Sequence, residues 1–138
     1  LHSFGPHEYR YAVYPHAGDW DEGGVMTEAY NHKVQMTALQ GVPRDGELPS
    51  KGSFFQITPA DKVQVAAVKL AEDEKGIVLR LWNSSGEKLN VKVKTLLPVK
   101  DAALASFEEE KGEALSVKRG SFSFDLPPHK IQSIYLEQ

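Results

Sequence analysis

"IVLRLWNSSGEKLNVKVK", residues 77–94, is the stretch whose reading decides the fold. In its first six residues Ile77, Leu79 and Leu81 fall on one side, and Val78, Arg80 and Trp82 on the other. Its last seven set Leu89, Val91 and Val93 against Lys88, Asn90, Lys92 and Lys94. Side chains of a β-strand point alternately to opposite faces, so both runs read as strands, the second with one apolar and one solvated face. Asn83-Ser84-Ser85-Gly86 between them is a turn signal, and the spacing predicts a hairpin. Asn83-Ser84-Ser85 also matches the sequon for N-linked sugar; its place in a tight turn favours a structural reading.

The period of two continues outward. "SFSFDL", residues 121–126, puts Phe122, Phe124 and Leu126 on one face, and "KIQSIYLEQ", residues 130–138, makes a last strand. "VQVAAVKLAED", residues 63–73, is apolar on both faces, as an inner strand would be. Short strands about ten residues apart predict an all-β protein, an antiparallel β-sandwich. Near the N-terminus, "HEYRYAVY", residues 7–14, alternates Tyr9, Tyr11 and Val13 with Glu8, Arg10, Ala12 and Tyr14. It reads as a half-buried strand that Pro15 ends, since proline cannot donate to a ladder. Asp19 or Asp21 is placed to cap one short helix over residues 20–33, with Gly23 and Gly24 weakening its first turn. Residues 40–53, "QGVPRDGELPSKGS", hold three glycines and two prolines and read as a linker. The expected organisation is residues 1–40, a linker at 41–53, and a small sandwich at 54–138.

Composition narrows the function. The 138 residues carry a net charge of −3, with 41% hydrophobic and 25% charged residues. This is enough chain for a hydrophobic core, and it has no basic footprint for nucleic acid or an anionic membrane. No apolar run approaches the roughly 18 residues of a membrane span, and no signal peptide is visible. There are no cysteines, which excludes disulfides and thiolate metal sites and points to a reducing, cytoplasmic location. The sequence opens with Leu1 rather than methionine, as a piece of a longer protein would.

Three kinds of chemistry are open to these residue types. His7, His16 and Asp19 are metal-ligand types, but nine residues of extended chain, at about 3.3 Å each, separate the two histidines, and no H-E-x-x-H pattern is present. No metal site is expected in this chain. Asp19, Asp21 and Glu22 form the densest acidic group, and a glycosidase needs two carboxyls about 5–9.5 Å apart in a cleft; helix capping accounts for them equally well. Glu108-Glu109-Glu110-Lys111 reads as a solvated turn. Tyr9, Tyr11, Tyr14, Trp20 and Trp82 are candidates for a sugar-stacking platform, against the commoner reading of core and edge packing. There is no G-x-S-x-G, P-loop or G-x-G-x-x-G motif, and no catalytic residue is assigned.

"HEYRYAVYPHAGDW", residues 7–20, closely resembles a motif of glycoside hydrolase family 38, the class II alpha-mannosidases, through His7, Glu8, Tyr9, Tyr11, Ala12, Val13, Pro15, His16, Gly18 and Trp20. "EAYNHKV", residues 28–34, is similar to the segment that follows it there, with Lys33 and Val34 where Pro-Leu is usual. "VLRLWNSSGEKLNVKV" and "FDLPPHKIQSIYLE" resemble two later strand segments, the second departing at His129 and Lys130. The resemblance implies a large parent enzyme, a retaining zinc-dependent alpha-mannosidase with a catalytic α/β barrel, a helical bundle and β-sandwich domains. It implies that residues 1–40 are the last strand and helix of the large sandwich domain, and that residues 54–138 are a separate C-terminal sandwich. None of the family's zinc-ligand or nucleophile motifs has a counterpart here, so zinc is expected only in the missing catalytic domain. The partners implied are the rest of the parent chain, mannosides or oligosaccharides for the parent, and a homo-oligomer.

The leading expectation is therefore a non-catalytic C-terminal β-sandwich part of an alpha-mannosidase. His16, Asp19 and Trp20 are its carbohydrate-proximal candidates, with Trp20 expected to anchor the helix against the sheet. A carbohydrate-binding module using exposed tyrosine and tryptophan is the alternative. A small independent hydrolase built on His7, His16 and Asp19 is a third, and it requires those side chains to converge.

Overall fold

A computed structural model describes residues 4–34, 36–42, 45–46 and 48–138. The chain divides into two compact units, Leu1–Gln40 and Gly41–Gln138. All strands among the described residues lie in the second unit, in two antiparallel sheets. A three-stranded sheet has the order β1 (Phe55–Thr58), β4 (Leu89–Thr95), β7 (Ser121–Leu126). A five-stranded sheet has the order β2 (Val63–Leu70), β3 (Gly76–Asn83), β8 (Ile131–Glu137), β5 (Asp101–Ala105), β6 (Lys111–Leu115). The alternation seen in the sequence becomes packing. Leu79 and Leu81 of β3, Ile134 and Leu136 of β8, Val91 and Val93 of β4, and Phe122, Phe124 and Leu126 of β7 meet in one buried core. The all-β antiparallel sandwich with one helix is thus the observed fold.

The 77–94 stretch is not a hairpin. β3 and β4 lie in different sheets, so "NSSGEK" carries the chain across the sandwich. The alternation gave both strands correctly, but a turn signal alone does not say which strand a strand pairs with. β2 is likewise no inner strand. It is the edge of the five-stranded sheet, and Val65, Val68 and Leu70 stay 41%, 51% and 68% exposed. A two-faced apolar sequence shows what a strand can bury, whereas its neighbours decide what it does bury. A bulge interrupts the β2–β3 register between Val65 and Ala67.

Lys118-Arg119-Gly120-Ser121 closes a two-residue turn. Lys118 and Ser121 form a bridge, and the two central residues have φ of 51° and 70°. Positive φ at both centres is the type I′ pattern, which favours asparagine followed by glycine because a branched or long side chain strains the left-handed region. Arg119→Asn is expected to raise stability by about 0.5–1 kcal/mol, read as a higher urea midpoint with an unchanged slope.

In the first unit, residues 7–15 are exposed and carry no ladder. Tyr9, Tyr11 and Val13 are 82%, 89% and 88% exposed, so the expected half-buried strand is not formed in this chain. Strand propensity fixes nothing without a neighbouring edge to pair with. The helix, α1, covers Val25–Lys33 and buries none of its residues. It starts later than the expected 20–33 because the chain first makes a separate turn, described next.

Candidate functional site

The first unit holds the carbohydrate-proximal candidates His16, Asp19 and Trp20. Asp19 Oδ1 accepts the backbone N–H groups of Asp21 (2.9 Å) and Glu22 (2.8 Å), and Glu22 Oε2 accepts the Asp19 N–H at 3.3 Å. This reciprocal pair is a capping box at the start of a single helical turn. The turn ends at Gly24, in the left-handed region at φ 65°. There the Gly24 N–H donates to the Asp21 carbonyl and the Val25 N–H to the Trp20 carbonyl, the pairing that satisfies orphan carbonyls where a helix stops. The chain then restarts as α1. Asp19 does cap, as its position suggested, but what it caps is this turn.

His16 lies across the backbone of Gly23: a Cβ built there would stand 2.4 Å from His16 Nδ1. The same nitrogen is 3.3 Å from the Ala17 carbonyl. His16 and Asp19 are thus both engaged in holding this turn. Trp20 keeps 46% of its surface exposed, so within this chain it is not the buried anchor that its size suggested. A trough of about 390 Å³ runs between residues 12–14 and α1, lined by Val13, Tyr14, Val25 and His32 among others. His7, His16 and Asp19 do not converge. Among the described residues no three His, Asp or Glu side chains are grouped as a metal ion would require.

In the second unit several ionisable groups tie loops to the five-stranded sheet. The Lys69 ammonium bridges Glu109 (2.7 Å) and Glu72 on the outer side of the five-stranded sheet. Glu109 Oε2 also accepts the Glu72 N–H at 2.7 Å. The Lys69 ammonium, helped by that N–H, holds the Glu109 carboxyl below its ordinary value of 4.5. Glu109, expected in a solvated turn, has only 8% of its side chain exposed. Beside it the Arg80 guanidinium lies 3.9 Å from the Phe107 ring centre and donates to Ser133 Oγ at 3.0 Å. Farther along the sheet, Tyr135 is buried, and its hydroxyl donates to Asp73 Oδ1 at 2.7 Å. Burial first, and the Asp73 carboxylate second, push the Tyr135 hydroxyl up to about 12. The Lys75 N–H and the Tyr135 hydroxyl hold Asp73 below its ordinary 3.8.

The signs of these shifts set a pH profile. Carboxyls with a lowered folded pKa add stability above their ordinary values, and it is lost as pH falls through the folded ones. A tyrosine with a raised pKa adds stability below about pH 10 that disappears as pH rises towards 12. The urea midpoint is therefore expected to fall below about pH 4.5 and again above about pH 10. Tyr135→Phe should remove the alkaline limb, and Glu109→Gln should reduce the acid one.

The most completely bonded polar group is Asn83, fully buried at the end of β3. Its Nδ2 donates to the carbonyls of Glu87 (2.7 Å), Pro127 (2.9 Å) and Leu126 (3.2 Å). Its Oδ1 accepts the Ser85 N–H (2.9 Å) and hydroxyl (2.8 Å). Ser84 Oγ donates to the Lys62 carbonyl at 3.1 Å. Three connections, at residues 59–62, 84–88 and 127–130, are knotted together at one end of the sandwich. The sequon is thus a structural pin. A signal for it exists in the sequence: Asn83 shares the parity of Leu79 and Leu81, and so is a polar residue on a core position.

The two-sheet antiparallel sandwich defines a C-terminal-type β-sandwich module. A family model described as "Glycosyl hydrolases family 38 C-terminal beta sandwich domain" matches residues 62–134, just over half of the chain. The chain belongs to that family. It is 31% identical over 139 residues to "Alpha-mannosidase 2C1" of Mus musculus, aligning 96% of this chain with 13% of that protein. It is 29% identical to the Homo sapiens protein of the same name, with the same coverage. Identity is also 29% to a protein of Halalkalibacterium halodurans provisionally named a mannosylglycerate hydrolase, across 97% of this chain and 14% of that one. The chain therefore spans about an eighth of the curated relatives it matches. No helix among the described residues is long and apolar enough to cross a membrane.

Proposed function

We propose that this chain is the non-catalytic C-terminal part of a longer alpha-mannosidase, a retaining enzyme whose zinc and catalytic carboxylates belong to domains outside residues 1–138. The observation that supports this best is the coverage: nearly all of the chain aligns with an eighth of proteins named alpha-mannosidases. In this reading residues 1–40 complete a larger β-sandwich of the parent. Tyr9, Tyr11 and Val13, exposed here, pair and pack there, and residues 54–138 form the small terminal sandwich. A homo-oligomer of the parent and a cytoplasmic location belong to the same proposal.

A second reading has one observation in its favour. Tyr9 and Tyr11, two residues apart, are more than four-fifths exposed, and aromatic faces stack on sugars. One pair of measurements separates the two. The 138-residue chain is expected neither to hydrolyse an aryl alpha-mannoside nor to bind mannose oligosaccharides in a calorimetric titration. Binding lost in Tyr11→Ala would promote the carbohydrate-binding module. Turnover lost in Asp19→Asn would show that the capping carboxylate is catalytic and overturn the structural reading of the turn.

A further inference from the structure

Five strands face three in the second unit, and the mismatch leaves an apolar shelf. Val65 pairs with Leu81, Val68 with Leu79 and Leu70 with Ile77. Directly opposed residues of antiparallel strands share a face. Leu79 and Leu81 are fully buried core residues, and Ile77 packs against that core. Val65, Val68 and Leu70 therefore point to the core side of the sheet, yet their exposure climbs from 41% to 68% along the strand, while Val63 at its start is buried. The opposing sheet covers only the beginning of β2. β1, which joins β2 through residues 59–62, is four residues long against eight. At the other end of β1, Phe54 and Leu96 are 55% and 52% exposed. They line a small hollow with Leu48 and Pro49.

We propose that this shelf, Val65, Val68 and Leu70 of β2, is the docking surface for an apolar helix or loop of the longer protein, packed face-on against the sheet. The inference rests on the reading that the chain is one part of such a protein. Two observations select that occupant over a second copy of this chain. First, three half-exposed side chains make a patch of at most roughly a few hundred Å², short of the about 800 Å² per partner that a stable association of separate molecules buries. A segment of the same chain needs far less, because tethering supplies its effective concentration, and the relatives carry some seven-eighths of their length outside the matched region. Second, a bulge interrupts the β2 register between Val65 and Ala67, and a bulge on an edge strand disfavours simple strand addition. What remains available is the apolar face.

The absence of cysteine from the chain makes a direct test practical. Val68→Cys is introduced into the 138-residue chain and into the whole longer protein, and maleimide labelling is followed by the mass of the peptide holding residue 68. Labelling is expected to be at least tenfold slower in the longer protein; equal rates would overturn the proposal. Val68→Glu/Leu70→Glu should leave the urea midpoint of the 138-residue chain nearly unchanged and speed proteolysis of the sandwich in the longer protein about tenfold. Unchanged proteolysis contradicts docking. A concentration-dependent dimer of the 138-residue chain, dissolved by the double variant in sedimentation, would assign the shelf to a second copy and overturn the proposal. Protection of residue 68 in a longer protein that lacks mannosidase activity would sink the functional reading and leave the docking surface standing.

Discussion

Asn83→Leu is expected to lower the unfolding free energy of the chain by about 3–4 kcal/mol. Leucine keeps the branched shape and is larger than asparagine, so no cavity explains the loss. The cost comes from the groups left behind: the carbonyls of Glu87, Leu126 and Pro127, and the N–H and hydroxyl of Ser85, all bonded by this one amide. A buried polar group without its partner costs about 1–3 kcal/mol, and partial rehydration of loosened loops limits the sum. Asn83→Asp should be nearly as damaging, because the carboxylate oxygen that replaces Nδ2 cannot donate and faces three carbonyls. Ser84→Ala removes one hydrogen bond, to Lys62, and should cost about 1 kcal/mol. Urea melts of the three variants, compared at constant slope, are the measurement. A loss below 1 kcal/mol for Asn83→Leu would show that the knot is dispensable. In the folded chain the same burial withholds Asn83 Nδ2 from glycosylation.

Leu81→Ala is expected to cost about 3 kcal/mol, and Leu70→Ala less than 1 kcal/mol, although both lie on the core side of the five-stranded sheet. Leu81 is fully buried on β3 among Leu79, Ile134 and the β4 and β7 side chains. Its truncation removes transfer energy and leaves a cavity that neighbouring strands cannot close. For a unit of this size the melting temperature should drop by roughly 12–24 °C. Leu70 is already two-thirds exposed, so little is lost with it. Equal costs would mean that the shelf is closed in solution.

Where alternation was strict, the sequence was a sufficient guide. β3, β4 and β7 each place large apolar residues at every second position, and each lies where that pattern put it. β5 and β6 read "DAALA" and "KGEAL"; alanine and glycine have little to bury and weak strand preference, so pairing with β8 holds β5 extended, and pairing with β5 holds β6. β2 shows the opposite failure, an apolar sequence that no neighbour covers. The turn at residues 19–24 was half legible. The aspartate cap could be seen, but the stop at Gly24 depends on a backbone conformation that two adjacent glycines permit without announcing. The ion pairs among Lys69, Glu72 and Glu109 join residues up to 40 positions apart, and no local pattern encodes them.

The central claim is that residues 1–138 serve an alpha-mannosidase without containing its chemistry. The most direct measurement compares hydrolysis of an aryl alpha-mannoside by the product of the complete reading frame and by the 138-residue chain, each before and after chelation and zinc re-addition. The account predicts turnover by the longer protein alone, lost on chelation and restored by zinc, with none from the 138-residue chain under either condition. Turnover by the 138-residue chain, or a longer protein inert towards every alpha-mannoside, would contradict it.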